Sequence, residues 1–155
     1  MPGTWVLVLA ALMASYDLAT RRIPNSLNAL AALSGLAWGL FVWGLPGLGQ
    51  AVLGGLTAFA LMAVIYFIGG VGAGDVKAMA ALGTFLSPWG AFELFVFTLL
   101  AGGVLAVLRL AIARRGVAIS GGQGVFRLQA SGLSLPYGVA ICAGAFCVVL
   151  SGGVA

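Results

Sequence analysis

Asp17 and Asp75 are two of only three acidic residues in a chain of 155, and the chain has no histidine. Each stands in a short polar cluster beside a turn. One cluster is Asp17-Leu18-Ala19-Thr20-Arg21-Arg22-Ile23-Pro24-Asn25, and the other is Gly72-Ala73-Gly74-Asp75-Val76-Lys77. A carboxylate at the edge of lipid is costly to keep and reads by default as a functional residue. Two of them in matching contexts point to a carboxylate pair that activates water. One ionised aspartate takes a proton from the water while its protonated partner polarises a scissile carbonyl. Such a pair shares one proton and titrates as a unit, and a low dielectric strengthens the coupling.

Other hydrolytic chemistries lack their residues. Without histidine, Ser-His and Cys-His nucleophiles are excluded. A Ser-Lys pair would depend on Lys77, the chain's one lysine. No His/Cys/carboxylate constellation fits a catalytic zinc, so no metal and no organic cofactor is expected. Cys142 and Cys147 share one apolar run and read as small buried hydrophobes.

The elements that must position the aspartates are membrane helices. The chain is 63% hydrophobic and 6% charged, too few charges for the surface of a soluble domain. A net charge of +4 from seven dispersed cations does not make a nucleic-acid surface. Apolar runs cover Thr4 to Tyr16, Leu27 to Trp43, Ala51 to Ile68, Val76 to Leu86, Gly90 to Ala113 and Leu135 to Leu150. Gly, Pro, Asn and Ser punctuate them. The first run has no basic residue before it, so it reads as a retained membrane helix, not a cleaved signal. The expectation is an all-α, six-span membrane protein forming a single domain over residues 1–155.

Charge sets the expected orientation. Arg21 and Arg22 follow the first run, Lys77 the third, and Arg109, Arg114, Arg115 and Arg127 flank the end of the fifth. With six spans every cation falls on one side, the cytoplasm, and both termini face outside. Asp17 and Asp75 then share the cytoplasmic edge. The first run supplies roughly 20 Å of helix up to Asp17, against about 30 Å of hydrocarbon, so the carboxylates sit at or just inside the boundary. Glu93 falls near the opposite face and reads as an interface residue beside Trp89. The glycines at positions 69, 70, 72 and 74 crowd one turn leading into Asp75, as a hydrated, non-helical pocket requires.

These residues resemble a known family. Gly72-Ala73-Gly74-Asp75 resembles the GxGD motif of aspartyl intramembrane-cleaving proteases, and Val76-Lys77 narrows it to the GxGDxK form of prepilin and preflagellin peptidases. Asp17 with Ile23-Pro24-Asn25 looks like their other signature, and Leu135-Pro136-Tyr137-Gly138 resembles the start of their last helix. The resemblance implies an endopeptidase in the cytoplasmic membrane that removes a short basic leader from type IV pilin-like precursors. Asp17 and Asp75 would be catalytic, with Gly72, Gly74, Lys77, Pro24 and Asn25 shaping the site. Larger members of the family carry paired CxxC motifs and also methylate the new N-terminus. This chain has no CxxC, so it is similar to compact, peptidase-only members of the Flp/tight-adherence type or to archaeal preflagellin peptidases.

Blander readings stand beside these. Asp17 could pair with Arg21 four residues on. Asp75 could cap the helix that follows it, and Lys77 could tune Asp75 or simply anchor at the interface. The arginines mark topology, and their field would repel a basic leader. The Gly-rich stretch 116–134 is a candidate for movement that admits an extended substrate. Rival functions are a small proton-coupled transporter or channel subunit, and a noncatalytic pilus assembly component.

Overall fold

The structure, a computed structural model, describes residues 2–20, 24–69, 71–119 and 137–152. It is all-helical across the described residues: α1 (Pro2–Thr20), α2 (Asn25–Phe67), α3 (Ala73–Gly83), α4 (Pro88–Ile119) and α5 (Tyr137–Ser151). Arg21, Arg22, Arg127 and most of the stretch 116–134 lie outside the described residues. Of Arg109, Arg114 and Arg115 only the helical backbone is described.

Local chemistry explains where these helices start and stop. The carbonyl of Pro24 accepts from the Leu27 and Asn28 N–H groups at 3.1 and 3.3 Å, opening α2. Ser87 Oγ accepts from the Gly90 N–H at 3.2 Å, and Pro88, with no N–H to leave unpaired, takes the first position of α4. Gly69 at φ 87° follows α2, and Gly152 at φ 78° follows α5, each in the left-handed region that glycine adopts without strain.

The 43 residues of α2 would reach about 65 Å if straight, twice the thickness of hydrocarbon. They do not run straight. Gly44 has φ 65° and ψ −149°, and the chain doubles back there into limbs 25–43 and 45–67. A Cβ on Gly39 would come within 2.7 Å of the Gly47 carbonyl oxygen and 3.2 Å of Ala51 Cβ, so the limbs touch backbone to backbone. The expected turn at Gly44-Leu45-Pro46-Gly47 is therefore present, with Pro46 in the first turn of the second limb, where its missing N–H costs little.

Close approaches fix the direction of every rod. Gly35 of the first limb meets Thr84 at the end of α3, while Asn25 meets Lys77 near its start, so these two run parallel. Gly54 and Ala58 of the second limb pack against Gly83. Gly3 of α1 faces Val149 of α5 and Asp17 faces Gly138, which makes that pair antiparallel. Thr98 of α4 meets Gly144 of α5, and Gly102 meets Tyr137. Six rods thus alternate in direction, with the starts of α2, α3 and α5 and the end of α1 at one end of the bundle.

The core holds Met13, Met62, Met79, Leu82, Leu94 and Ile141, all fully buried. The outside is equally oily: Trp5, Leu33, Phe41, Leu56, Val104 and Leu150 are exposed. Apolar surface of this extent has no place in water. Among the described residues three helices, α1, α2 and α4, are long and apolar enough to cross a membrane. At 11 residues, or about 16 Å, α3 is not.

The backbone contact at Gly83 gives a direct test of packing. A Cβ there would lie 2.7 Å from Ala58 Cβ and 2.8 Å from the Gly54 carbonyl oxygen. Gly83→Val should lower thermal stability in detergent by about 1–3 kcal/mol, the usual cost of overpacking. Gly103→Ala, at an exposed helical position with nothing within 4 Å, should be neutral or slightly stabilising in the same assay.

Candidate active site

Two backbone N–H groups hold the two aspartates. Asp17, in the last turn of α1, is buried, and its Oδ2 accepts a 2.8 Å hydrogen bond from the Gly138 N–H. Gly138 is the second residue of α5, so this N–H is one of those that a helix start leaves without an internal partner. Asp75, half-buried in the first turn of α3, accepts from the Gly72 N–H at 3.1 Å, also through Oδ2. Each carboxylate therefore rests on the positive end of a helix, which favours negative charge. Among the described residues, these bonds engage one oxygen of each carboxylate and leave Oδ1 for water or substrate.

Both aspartates lie at the same end of the bundle and within electrostatic reach of each other. Tyr137, next to Gly138, is within reach of Asp75 as well. Glycine is needed at position 138. A Cβ there would stand 2.8 Å from Asp17 Cβ and 3.0 Å from Asp17 Oδ2. Gly72 is the N-cap of α3 with extended backbone, and Gly74 has open space around it. The two carboxylates thus sit among Gly72, Gly74 and Gly138, which bring no side-chain bulk of their own beside them.

The remaining sequence-predicted site residues, Lys77, Pro24 and Asn25, make their contacts at the start of α2. Lys77 Nζ donates to Asn25 Oδ1 at 3.1 Å, tying the start of α3 to the start of α2. Pro24 acts through its carbonyl as the N-cap of α2. Glu93 is at the opposite end, where it accepts from Trp89 Nε1 at 3.0 Å and from Ser151 Oγ at 3.3 Å, and so clamps α4 to the end of α5. Cys142 and Cys147 are free thiols, both half-buried. Among the described residues no group of three His, Cys, Asp or Glu side chains could hold a metal ion.

Sequence reasoning gave Gly138 no place at the site, although the Pro-aromatic-Gly pattern at the start of α5 was the available signal. It also passed over Asn28, a buried amide whose Oδ1 and Nδ2 have no hydrogen-bond partner among the described residues. A lone amide three residues after Asn25, inside an apolar run, was its mark in the sequence.

Among known proteins, no curated protein and no solved structure matches the chain. A family model described as the Type IV leader peptidase family matches residues 4–107, which include both aspartates. That match covers more than half of the chain, and the apolar helices suit a membrane-embedded enzyme. The protein belongs to the type IV leader peptidase family and is a membrane peptidase.

Proposed function

We propose that the protein is an aspartic endopeptidase of the cytoplasmic membrane, cutting the short leader from pilin-like precursors with Asp17 and Asp75. The observation that carries this reading is the placement of both carboxylates at one end of the bundle, each with one oxygen held by a backbone N–H. A water between the free oxygens loses a proton to the ionised aspartate and attacks the scissile carbonyl carbon. The protonated partner hydrogen-bonds and then protonates the carbonyl oxygen. Collapse of the tetrahedral diol returns a hydroxyl proton to the second aspartate and breaks the C–N bond, and the amine leaves with the proton first taken from water, which restores the dyad. The chemistry needs no metal and no organic cofactor.

In this reading the six rods cross the membrane with both termini outside, and the aspartate end faces the cytoplasm. The whole chain acts as one peptidase domain of the compact kind, without the methyltransferase step. The short α3 supports a hydrated site: about 16 Å of helix in about 30 Å of hydrocarbon leaves room for water at its glycine-rich start. The precursor's leader stays in the cytoplasm while its apolar helix lies in the bilayer.

Co-expression with a prepilin, read by the precursor's gel mobility, tests the dyad. Asp17→Asn and Asp75→Asn should each cut the cleavage rate by about 10²–10⁴-fold, the usual worth of acid–base catalysis. Normal processing by either variant would refute the assignment. Gly138→Ala should push the Asp17 carboxylate off its hydrogen bond and lower kcat about 10²-fold with little change in KM, as small misplacements do. Orientation is read separately by labelling intact cells with an impermeant thiol reagent. Gly49→Cys should react from outside, and Ala73→Cys only after the cytoplasmic face is opened.

A further inference from the structure

A groove of about 510 Å³ opens on the side of α3 away from the aspartates, between α3 and the two limbs of α2. Ala32, Leu56 and Phe59 form apolar walls, and Asn25, Asn28 and Lys77 are at its cytoplasmic end in the proposed orientation. From Lys77 to Thr84 it follows about two helical turns, roughly 10 Å. Asn28 is one of its lining residues and is 5% exposed; its carboxamide is tucked just behind the wall, and both polar atoms lack a partner among the described residues. A buried orphan amide is expensive, and membrane proteins normally satisfy such groups internally.

We infer that this groove receives the start of the precursor's apolar helix, with Asn28 hydrogen-bonding the substrate backbone where extended leader turns into helix. The inference rests on the leader-peptidase reading of the site and adds where the substrate lies. The chemistry of the carboxamide selects the occupant. It presents one acceptor and two donors. An acyl chain, which is what bare lipid would lay in an apolar groove, offers neither kind of group. A polypeptide at an extended-to-helical junction offers both. Its first helical turn has N–H groups without internal partners, which asparagine satisfies well, and the extended residues before it have free carbonyls. A rotamer change of the common interface kind turns the Asn28 amide out to the groove wall.

The position also explains the glycines before Asp75. Residues two apart on a helix point to nearly opposite sides, so Lys77 faces the groove while Asp75 faces Asp17. A chain running from groove to dyad must pass over the start of α3. Gly72 and Gly74 put no side chain there, and Gly74 has open space around it. The substrate's extended segment crosses this low ridge and brings its scissile bond to the carboxylates.

A photoreactive amino acid at Leu56 or Phe59, in the Asp75→Asn background, tests the location, with Leu12 and Val104 as exposed controls on other faces. Adducts with the precursor at Leu56 or Phe59 but not at the controls are expected. Precursor adducts only at the controls, or only lipid adducts at Leu56 and Phe59, would overturn the inference. Asn28→Leu tests the amide. KM should rise about tenfold, while thermal stability in detergent holds or increases, because the orphan group is gone. An unchanged KM would assign the amide to an ordered water, and a lower stability would assign it a structural partner. Either result overturns the inference while leaving the dyad reading intact, whereas loss of cleavage by the wild-type chain would fail that reading itself.

Discussion

The hydrogen bond from the Gly138 N–H to Asp17 is the constraint around which the bundle closes. A buried carboxylate must be paired, and this chain offers no histidine and few cations to pair it. A helix start supplies a fixed donor without a second charge. The cost is geometric: the last turn of α1 and the first of α5 must come together closely enough that only glycine fits at 138. That contact, with Gly3 against Val149 at the far end, sets the antiparallel seam of α1 and α5. Tyr137 against Gly102, Thr98 against Gly144 and Glu93 with Ser151 then lock α4 onto the same seam.

α3 is held in a different way. Eleven residues are too few to cross hydrocarbon or to be stable alone, and the two limbs of α2 cradle it. Gly54 and Gly83 bring backbones into contact along this cradle, and Gly35 makes room for the Thr84 side chain, as expected where packing and not water drives helix association. Asp75 then needs no long element of its own. Its carboxylate caps the helix that carries it, so capping and the proposed acid–base role use different oxygens of one group and do not compete.

Much of this was legible in the sequence because turns carry their own chemistry. Ser87-Pro88 announces the start of α4, and Gly44-Leu45-Pro46-Gly47 announces the reversal of α2. The two aspartates stood out because acids are so scarce. Boundaries were less legible. α1 runs on to Thr20, past the expected Tyr16, and α3 starts at Ala73 instead of Val76, because Asp17 and Thr20 at one end and Gly74 and Asp75 at the other interrupt the apolar runs without interrupting the helices. The partner of Asp17 was invisible for another reason. It is a backbone N–H 121 residues away, and no side-chain pattern records a main-chain donor. Lys77 looked like a neighbour that could tune Asp75, but helical geometry turns it toward Asn25.

Polar side chains within the apolar helices sort the molecule into scaffold and site. Ser15, Ser34, Thr57 and Thr84 each return a hydrogen bond to a carbonyl three or four residues back, the cheapest way to carry a hydroxyl in lipid. Their polarity is satisfied chiefly within their own helices, although Thr84 Oγ1 also reaches the Ala32 carbonyl of α2 at 3.4 Å. Asp17 departs from this habit by reaching another helix, and Asp75 by taking the N–H of its own cap. Asn28 and the half-buried Trp38 depart further, since their buried polar atoms have no partner among the described residues. Trp38 belongs to the end of the bundle near the Gly44 reversal, where indoles commonly sit at a membrane interface. Asn28 has no such excuse: it lies toward the aspartate end, one turn into α2, beside the Lys77–Asn25 tie. A fold that settles its hydroxyls so economically and leaves one amide open at that place has kept the amide for something that arrives from outside.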